Sequence, residues 1–167
     1  MNILKNQYPD WEVELWWETN VNSKYYEYCK NLINKYALNN IKFCGISNDI
    51  ASINKTASIF AFPSSYEGFP LALTEAMSIG LPAVGFKNCP AVNELINDGK
   101  NGILCEDTID AFAIGLSELM DNIEKRKQCG AQAKKDMEQY APEIIWNMWE
   151  ELIKETVDSY QDNNKIL

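Results

Sequence analysis

Ala57-Ser58-Ile59-Phe60-Ala61-Phe62-Pro63-Ser64-Ser65-Tyr66-Glu67-Gly68-Phe69-Pro70-Leu71-Ala72-Leu73-Thr74-Glu75-Ala76-Met77-Ser78-Ile79-Gly80-Leu81-Pro82-Ala83-Val84-Gly85-Phe86 contains, in order, a strand, a loop, a helix and a second strand. The apolar run Ile59–Phe62 stops at Pro63, and a polar loop, Ser64–Gly68, follows. An apolar-periodic segment, Leu71–Ile79, then ends at Gly80, with Pro82 two residues on. That pattern predicts a buried strand, a loop and a helix closed by glycine. Pro70 suits the first helical turn, where a missing N–H costs nothing. The helix therefore starts just after Glu67-Gly68-Phe69, and its free amides face the loop. A helix start at the end of a parallel strand is a ready anion site. Two carboxylates accompany it, Glu67 in the loop and Glu75 within the helix.

Outward from this stretch, strands alternate with helices. Val13–Trp17, Ile41–Gly45, Ile59–Phe62, Ala83–Phe86 and Gly102–Cys105 are short and apolar, as strands buried on both faces are. Residues 2–8 have the pattern of a helix tail, and Ser23–Tyr36 that of an amphipathic helix. Ser47 is the expected N-cap of a short helix over 48–56. Further helices are expected over 91–96, from Asp107 or Thr108 to Met120, over 123–139 and over 143–160. The alternation predicts an α/β fold with a parallel sheet, the class to which doubly wound, Rossmann-like sheets belong. Residues 1–160 form one domain on this reading, and 161–167 a frayed tail. Ile144, Ile145, Met148, Trp149 and Leu152 make an apolar stripe on the last helix. Burial within the same domain is the expectation, with an absent neighbouring domain as the alternative.

Composition narrows the function classes. The 167 residues carry a formal net charge of −9 with 15 Lys and Arg, which argues against a nucleic-acid partner, since phosphate backbones demand clustered cations. A small phosphorylated ligand stays open, because helix amides can hold phosphate without net positive charge. There is no histidine, which removes the commonest general base and metal ligand. The five cysteines, Cys29, Cys44, Cys89, Cys105 and Cys129, are odd in number and show no C-x-x-C spacing. They are expected to be free thiols in a reducing compartment, with Cys44 and Cys105 buried. No segment approaches a membrane span, and the first ten residues lack a signal-peptide pattern, so the expected location is the cytoplasm.

The landmarks Phe43-Cys44-Gly45, Phe62-Pro63-Ser64, Tyr66-Glu67-Gly68-Phe69-Pro70-Leu71, Glu75-Ala76-Met77-Ser78-Ile79-Gly80-Leu81-Pro82 and Glu94-Leu95-Ile96-Asn97-Asp98-Gly99-Lys100-Asn101-Gly102 stand in one order and spacing. In these the chain resembles the carboxy-terminal, donor-binding domain of GT-B retaining glycosyltransferases of family four, from about Leu4 to Ile153. The resemblance implies that Glu67 lies beside the donor sugar as the catalytic-site carboxylate and that Glu75 binds the ribose hydroxyls. It implies that the amides of Gly68, Phe69, Leu71 and Ala72 meet sugar hydroxyls and diphosphate, and that Gly45-Ile46-Ser47 cradles the base. Such chemistry is sound: a carboxylate accepts two hydrogen bonds from a diol, and helix amides stabilise a departing diphosphate without a metal. No metal or cofactor is expected, only a nucleotide-diphosphate sugar as donor. Taken without these landmarks, Glu75 could equally be a solvated helix residue and Glu67 an ordinary loop charge.

The departures matter as much. The family's first strand and the Arg and Lys that follow it have no counterpart here, and Glu18-Thr19-Asn20-Val21 replaces a glycine-rich turn. The acceptor-binding domain has no counterpart either. The expectation is therefore the donor half of an enzyme of bacterial polysaccharide or glycolipid assembly, inactive by itself, whose parent sits in the cytoplasm or peripherally at the inner membrane face. The alternative is a non-catalytic nucleotide-sugar binding module. The missing strand would lie centrally, between Val13–Trp17 and Ile59–Phe62, so these edges are expected to re-pair or to drive homodimer formation.

Overall fold

The computed structural model describes residues 1–18 and 23–164. Among the described residues five strands and seven α-helices follow in order, alternating as far as β5: β1 Val13–Trp16, α1 Lys24–Lys35, β2 Ile41–Gly45, α2 Ile50–Thr56, β3 Phe60–Phe62, α3 Leu71–Ser78, β4 Ala83–Phe86, α4 Val92–Leu95, β5 Gly102–Cys105, α5 Ile109–Asp121, α6 Ile123–Met137 and α7 Pro142–Asn164. Local chemistry sets most helix starts. Ser23, Asp49, Thr108 and Asn122 each accept a backbone N–H of the first turn of α1, α2, α5 and α6, satisfying donors that a helix leaves free.

Several boundaries differ from the sequence reading. Asp49, not Ser47, caps α2; the Ser47 hydroxyl accepts the Asp49 N–H at 3.0 Å and so shapes the turn before it. Pro70 stands one place outside α3, where its carbonyl accepts from Leu73 and Thr74. Residues 2–7 are successive turns rather than a helix end, with Leu4 and Lys5 donating to Met1 O and Tyr8 to Leu4 O. At the other end α7 continues to Asn164, four residues into the stretch expected to fray. The replaced turn after β1 falls largely on residues 19–22, and the end of the tail on 165–167, both outside the described residues.

All strand pairs are parallel, in two sheets of order β1-β2 and β3-β4-β5. Every residue of β4 is buried. It is the middle of the main core, where Leu73 and Met77 of α3, Val92 and Ile96 around α4, Leu119 of α5 and Cys129 of α6 converge. A smaller cluster joins Leu4, Tyr8 and Trp11 to Ala113, Leu116 and Met120 of α5. The expected re-pairing does not occur: β1 pairs with β2 alone and β3 with β4 alone. The apolar stripe of α7 also departs from expectation. Ile145 is half-buried, Ile144 is exposed, and Met148, Trp149 and Leu152 are each more than half exposed; the contact α7 does make is at its base, with the 3-10 turn Glu138–Tyr140.

The five thiols are free. Cys89, Cys105 and Cys129 are buried, and Cys44 is only half-buried, against expectation. Burial is the leading cause that lifts the thiols of Cys89, Cys105 and Cys129 above the ordinary range. A raised value means less thiolate at neutral pH, and thiolate is the reactive form. Brief iodoacetamide treatment at neutral pH should therefore label Cys29 first and leave these three unmodified until denaturant is added. Peptide mass spectrometry that found Cys89 or Cys129 alkylated in the native state would contradict this packing.

Candidate functional site

The loop after β3 is fixed before any ligand arrives. The Ser64 hydroxyl donates to Glu67 Oε1 at 2.6 Å, and the Ser65 hydroxyl to Asp107 Oδ2 at 3.1 Å. The second contact ties this loop to the segment after β5. Beneath it lies Cys89, wholly buried, whose thiol is raised first by burial and next by the Glu67 carboxylate. Glu67 itself is half-buried. A carboxylate with one oxygen held and the other uncommitted can accept hydroxyl donors from a ligand.

The helix that follows is different from its neighbours. No side chain caps α3, and Pro70, at its N-cap, can donate nothing. The first backbone donors of this start to find a partner are Leu73 and Thr74, both to Pro70 O. The N–H groups of Gly68, Phe69, Leu71 and Ala72 meet no acceptor among the described residues, and all four residues are exposed. Free amides at a helix start carry partial positive charge and attract anions. At Gly68 a Cβ would meet nothing within 4 Å, so the glycine leaves open room rather than relieving a clash. Phe69 stands edge-on to Tyr140, ring centroids 5.6 Å apart, which walls one side.

Glu75 lies in the second turn of α3 and is exposed. With Thr74, Ser78, Lys134 and Tyr140 it lines a cavity of about 380 Å³. Of the residues expected at the site, only Glu75 reaches this cavity; Glu67 and the helix-start amides lie outside it. The third expected part, Gly45-Ile46-Ser47, leaves the end of β2 in the other sheet. Gly45 adopts φ +78°, which L side chains rarely take, and Ile46 projects its side chain into solvent. The turn is thus a fixed apolar knob. No hydrogen bond among the described residues joins it to the Glu67 loop.

Sequence reading missed Ser64 as a partner of Glu67, and Asp107 and Cys89 as supports of its loop. Ser64 had a signal, a hydroxyl three residues before a carboxylate, which is the reach of a local side-chain bond. Asp107 and Cys89 had none, since both meet the loop only through the fold. Lys87 and Glu106 form an ion pair where β4 and β5 end. Among the described residues no group of three or more Cys, Asp or Glu is placed to hold a metal ion. No described helix is long and apolar enough to cross a membrane.

The sequence profile described as "Glycosyl transferases group 1" matches residues 2–136. An uncharacterized glycosyltransferase of Haemophilus influenzae is 32% identical over 154 residues, which cover 90% of this chain and 42% of that protein. The UDP-Gal:alpha-D-GlcNAc-diphosphoundecaprenol alpha-1,3-galactosyltransferase of Escherichia coli is 39% identical over 79 residues, 47% of this chain and 20% of its own. Among solved structures, Anabaena Alr3699/HepE in complex with UDP superposes with a TM-score of 0.77 at 24% identity, over 90% of this chain and 42% of that one. The last likeness shows the shared fold. The chain spans less than half the length of these relatives.

Proposed function

This chain belongs to the group 1 glycosyl transferase family, and from that premise we propose that it is the donor-binding half of a retaining glycosyltransferase. Its substrate class is a nucleotide-diphosphate sugar, and the parent's acceptor is a glycan or glycolipid of polysaccharide assembly at the cytoplasmic side of a membrane. The observation that carries the reading is the uncapped start of α3, with free amides at Gly68, Phe69, Leu71 and Ala72 beside a Glu67 already held by Ser64. The UDP complex of the Anabaena neighbour and the UDP-galactose donor of the Escherichia coli relative support the ligand class.

On this reading Glu67 accepts hydrogen bonds from sugar hydroxyls and Glu75 from the ribose diol. The amides meet the diphosphate. As the bond from the anomeric carbon to the phosphate oxygen breaks, negative charge grows on the departing diphosphate, and preorganised N–H groups stabilise it without reorganising. The acceptor oxygen then bonds to the same face of the sugar and loses its proton. Helix amides alone give a partial charge of about half a unit, so the diphosphate is held weakly, and a bound nucleotide sugar without turnover is the second reading.

The test is a thermal-shift panel of nucleosides, nucleoside diphosphates and sugar nucleotides on the folded chain, run beside a transfer assay. We expect stabilisation by at least one nucleoside diphosphate and no transfer to any acceptor by residues 1–167 alone. A folded sample that responds to none of them would overturn donor binding, and measured transfer would overturn the inactivity of this half.

A further inference from the structure

The loop that joins β3 to α3 keeps its shape without main-chain hydrogen bonds. Among the described residues no N–H from Ser64 to Ala72 donates to a main-chain carbonyl. Side chains hold the loop instead. Ser64 bonds Glu67 at 2.6 Å and Ser65 bonds Asp107 at 3.1 Å, so the first half has two fixed points. The second half is Gly68-Phe69. Gly68 lacks the side chain that restricts backbone rotation, and a Cβ there would meet nothing within 4 Å. What fastens this half is the Phe69 ring, edge-on to Tyr140 with centroids 5.6 Å apart and planes at 66°.

The two rings are mounted differently. Tyr140 ends the 3-10 turn Glu138–Tyr140, which packs against both α6 and α7. Ala141 N–H closes that turn on Glu138 O at 3.0 Å, and Ala141 O accepts the Ile144 and Ile145 amides at 3.0 and 3.1 Å. The Gln139 side-chain amide donates to Asp136 O of α6 at 2.8 Å. Tyr140 is therefore the fixed partner, and Phe69, on a loop without backbone bonds, the movable one. Nor is the tyrosine ring a filler of the core. It is 36% exposed and Phe69 50%. Tyr140 borders the cavity of about 380 Å³ that Glu75 lines and a second, of about 210 Å³, lined by Glu94, Asn101 and Asp136. No hydrogen bond engages its hydroxyl among the described residues.

We propose that Tyr140 is a positioning residue of the donor loop: through the Phe69 ring it orders the Gly68 and Phe69 N–H groups that meet the diphosphate. The proposal rests on the donor-site reading above. Donors ordered in advance bind more tightly, because the cost of ordering them is met before the ligand arrives. They also stabilise charge on a departing diphosphate without moving. An edge-on ring pair biases the loop about two- to tenfold toward one arrangement. The requirement is for a ring and not for its hydroxyl, so phenylalanine serves at position 140 and leucine does not.

The experiment compares Tyr140→Leu, Tyr140→Phe, Phe69→Leu and the double leucine variant in the 167-residue chain. NMR relaxation of the Gly68 and Phe69 amides reads their order without ligand, and NMR titration reads affinity for uridine and for uridine diphosphate. Phe69 is half exposed, so Phe69→Leu tests the contact from the side that the fold does not need. We expect each leucine variant to lower the order parameters from about 0.85 to about 0.6 or less. Each should weaken uridine diphosphate about two- to tenfold and leave uridine unchanged. The double variant should lose no more than either single one, since all three remove the same contact, and Tyr140→Phe should match the parent. Unchanged order in both leucine variants, additive losses in the double variant, or Tyr140→Phe as impaired as Tyr140→Leu would each overturn the positioning role. Equal losses for uridine and its diphosphate would do so too, because the damage would then be general. A parent that binds neither ligand would overturn the donor-site reading and the ligand half of this proposal, while the order parameters still decide whether Tyr140 holds the loop.

Discussion

Replacing Gly130 with alanine is expected to destabilise the domain by about 2 kcal/mol, near the middle of the overpacking range. Gly130 lies in α6 against Gly80, the residue that ends the turn after α3. A Cβ on Gly130 would sit 2.2 Å from Gly80 O and 3.2 Å from its carbonyl carbon. The obstacle is backbone, so no side chain can rotate aside. Gly80 cannot relax freely either, since it holds φ +89°, and its N–H donates to Met77 O at 3.0 Å. The helices α3 and α6 must separate instead, which loosens Met77, Ala133 and Cys129 in the core between them. Alanine also gains up to about 1 kcal/mol of helix propensity, so a net loss is a strict test. Urea unfolding should show a lower midpoint at unchanged slope. Gly68→Ala is the control: it has open space for its Cβ and no positive φ, and should stay within about 0.5 kcal/mol of the parent. Equal stability of Gly130→Ala and the parent would mean that α3 and α6 do not approach as described. The proposed donor site would feel the change, because α3 carries Glu75 and the free amides of Leu71 and Ala72.

What the residues disclosed in advance, and what they did not, follows from the range of the interactions. β2, β4 and β5 fall where the apolar runs and their glycine or proline borders place them, because those signals are local. Thr108 was one of two expected caps for α5, and its hydroxyl takes that role. The Asp49 cap was missed because Ser47 offers the same chemistry two residues earlier; only the turn geometry decides between them. Ala91 takes φ +61° before α4, with no residue type to announce it. The same limit holds at the candidate site. Glu67, Glu75 and the helix start after Pro70 were visible as a string, whereas Asp107 reaches Ser65, and Cys89 the Glu67 loop, across long stretches of chain. The Gly130–Gly80 contact is likewise invisible, since a lone glycine in a helical pattern does not say what passes beside it. The stripe on α7 was visible as a stripe, but sequence periodicity gives a face and not the surface that covers it. The division into two sheets was not legible: the edges of β1 and β3 were expected to pair or to join two copies, whereas β1 pairs with β2 and β3 with β4.

Glu75→Ala is expected to weaken binding of a uridine diphosphate ligand by about 10- to 150-fold, the equivalent of the roughly 1.5–3 kcal/mol carried by hydrogen bonds to a charged group. Glu75 is exposed and caps nothing; the Ser78 hydroxyl donates to its backbone carbonyl at 2.8 Å and leaves its carboxylate untouched. The substitution should therefore leave thermal stability unchanged, which separates a lost ligand contact from a damaged fold. The decisive comparison pairs the protein change with a ligand change. Removing both ribose hydroxyls from the nucleotide should cost the parent about as much as Glu75→Ala does, and should cost the variant almost nothing, because the partner carboxylate has already gone. Saturation-transfer NMR suits the weak affinity expected of amides without a basic clamp. Glu67→Gln provides the orthogonal case. It keeps an acceptor for the Ser64 hydroxyl but loses the charge, so it should reduce binding of a sugar nucleotide relative to the free diphosphate while leaving the ribose dependence intact. If the ribose hydroxyls matter equally in the parent and in Glu75→Ala, then Glu75 does not hold the ribose. Its place beside Lys134 and Tyr140 in the lined cavity would then be the better guide to what it binds.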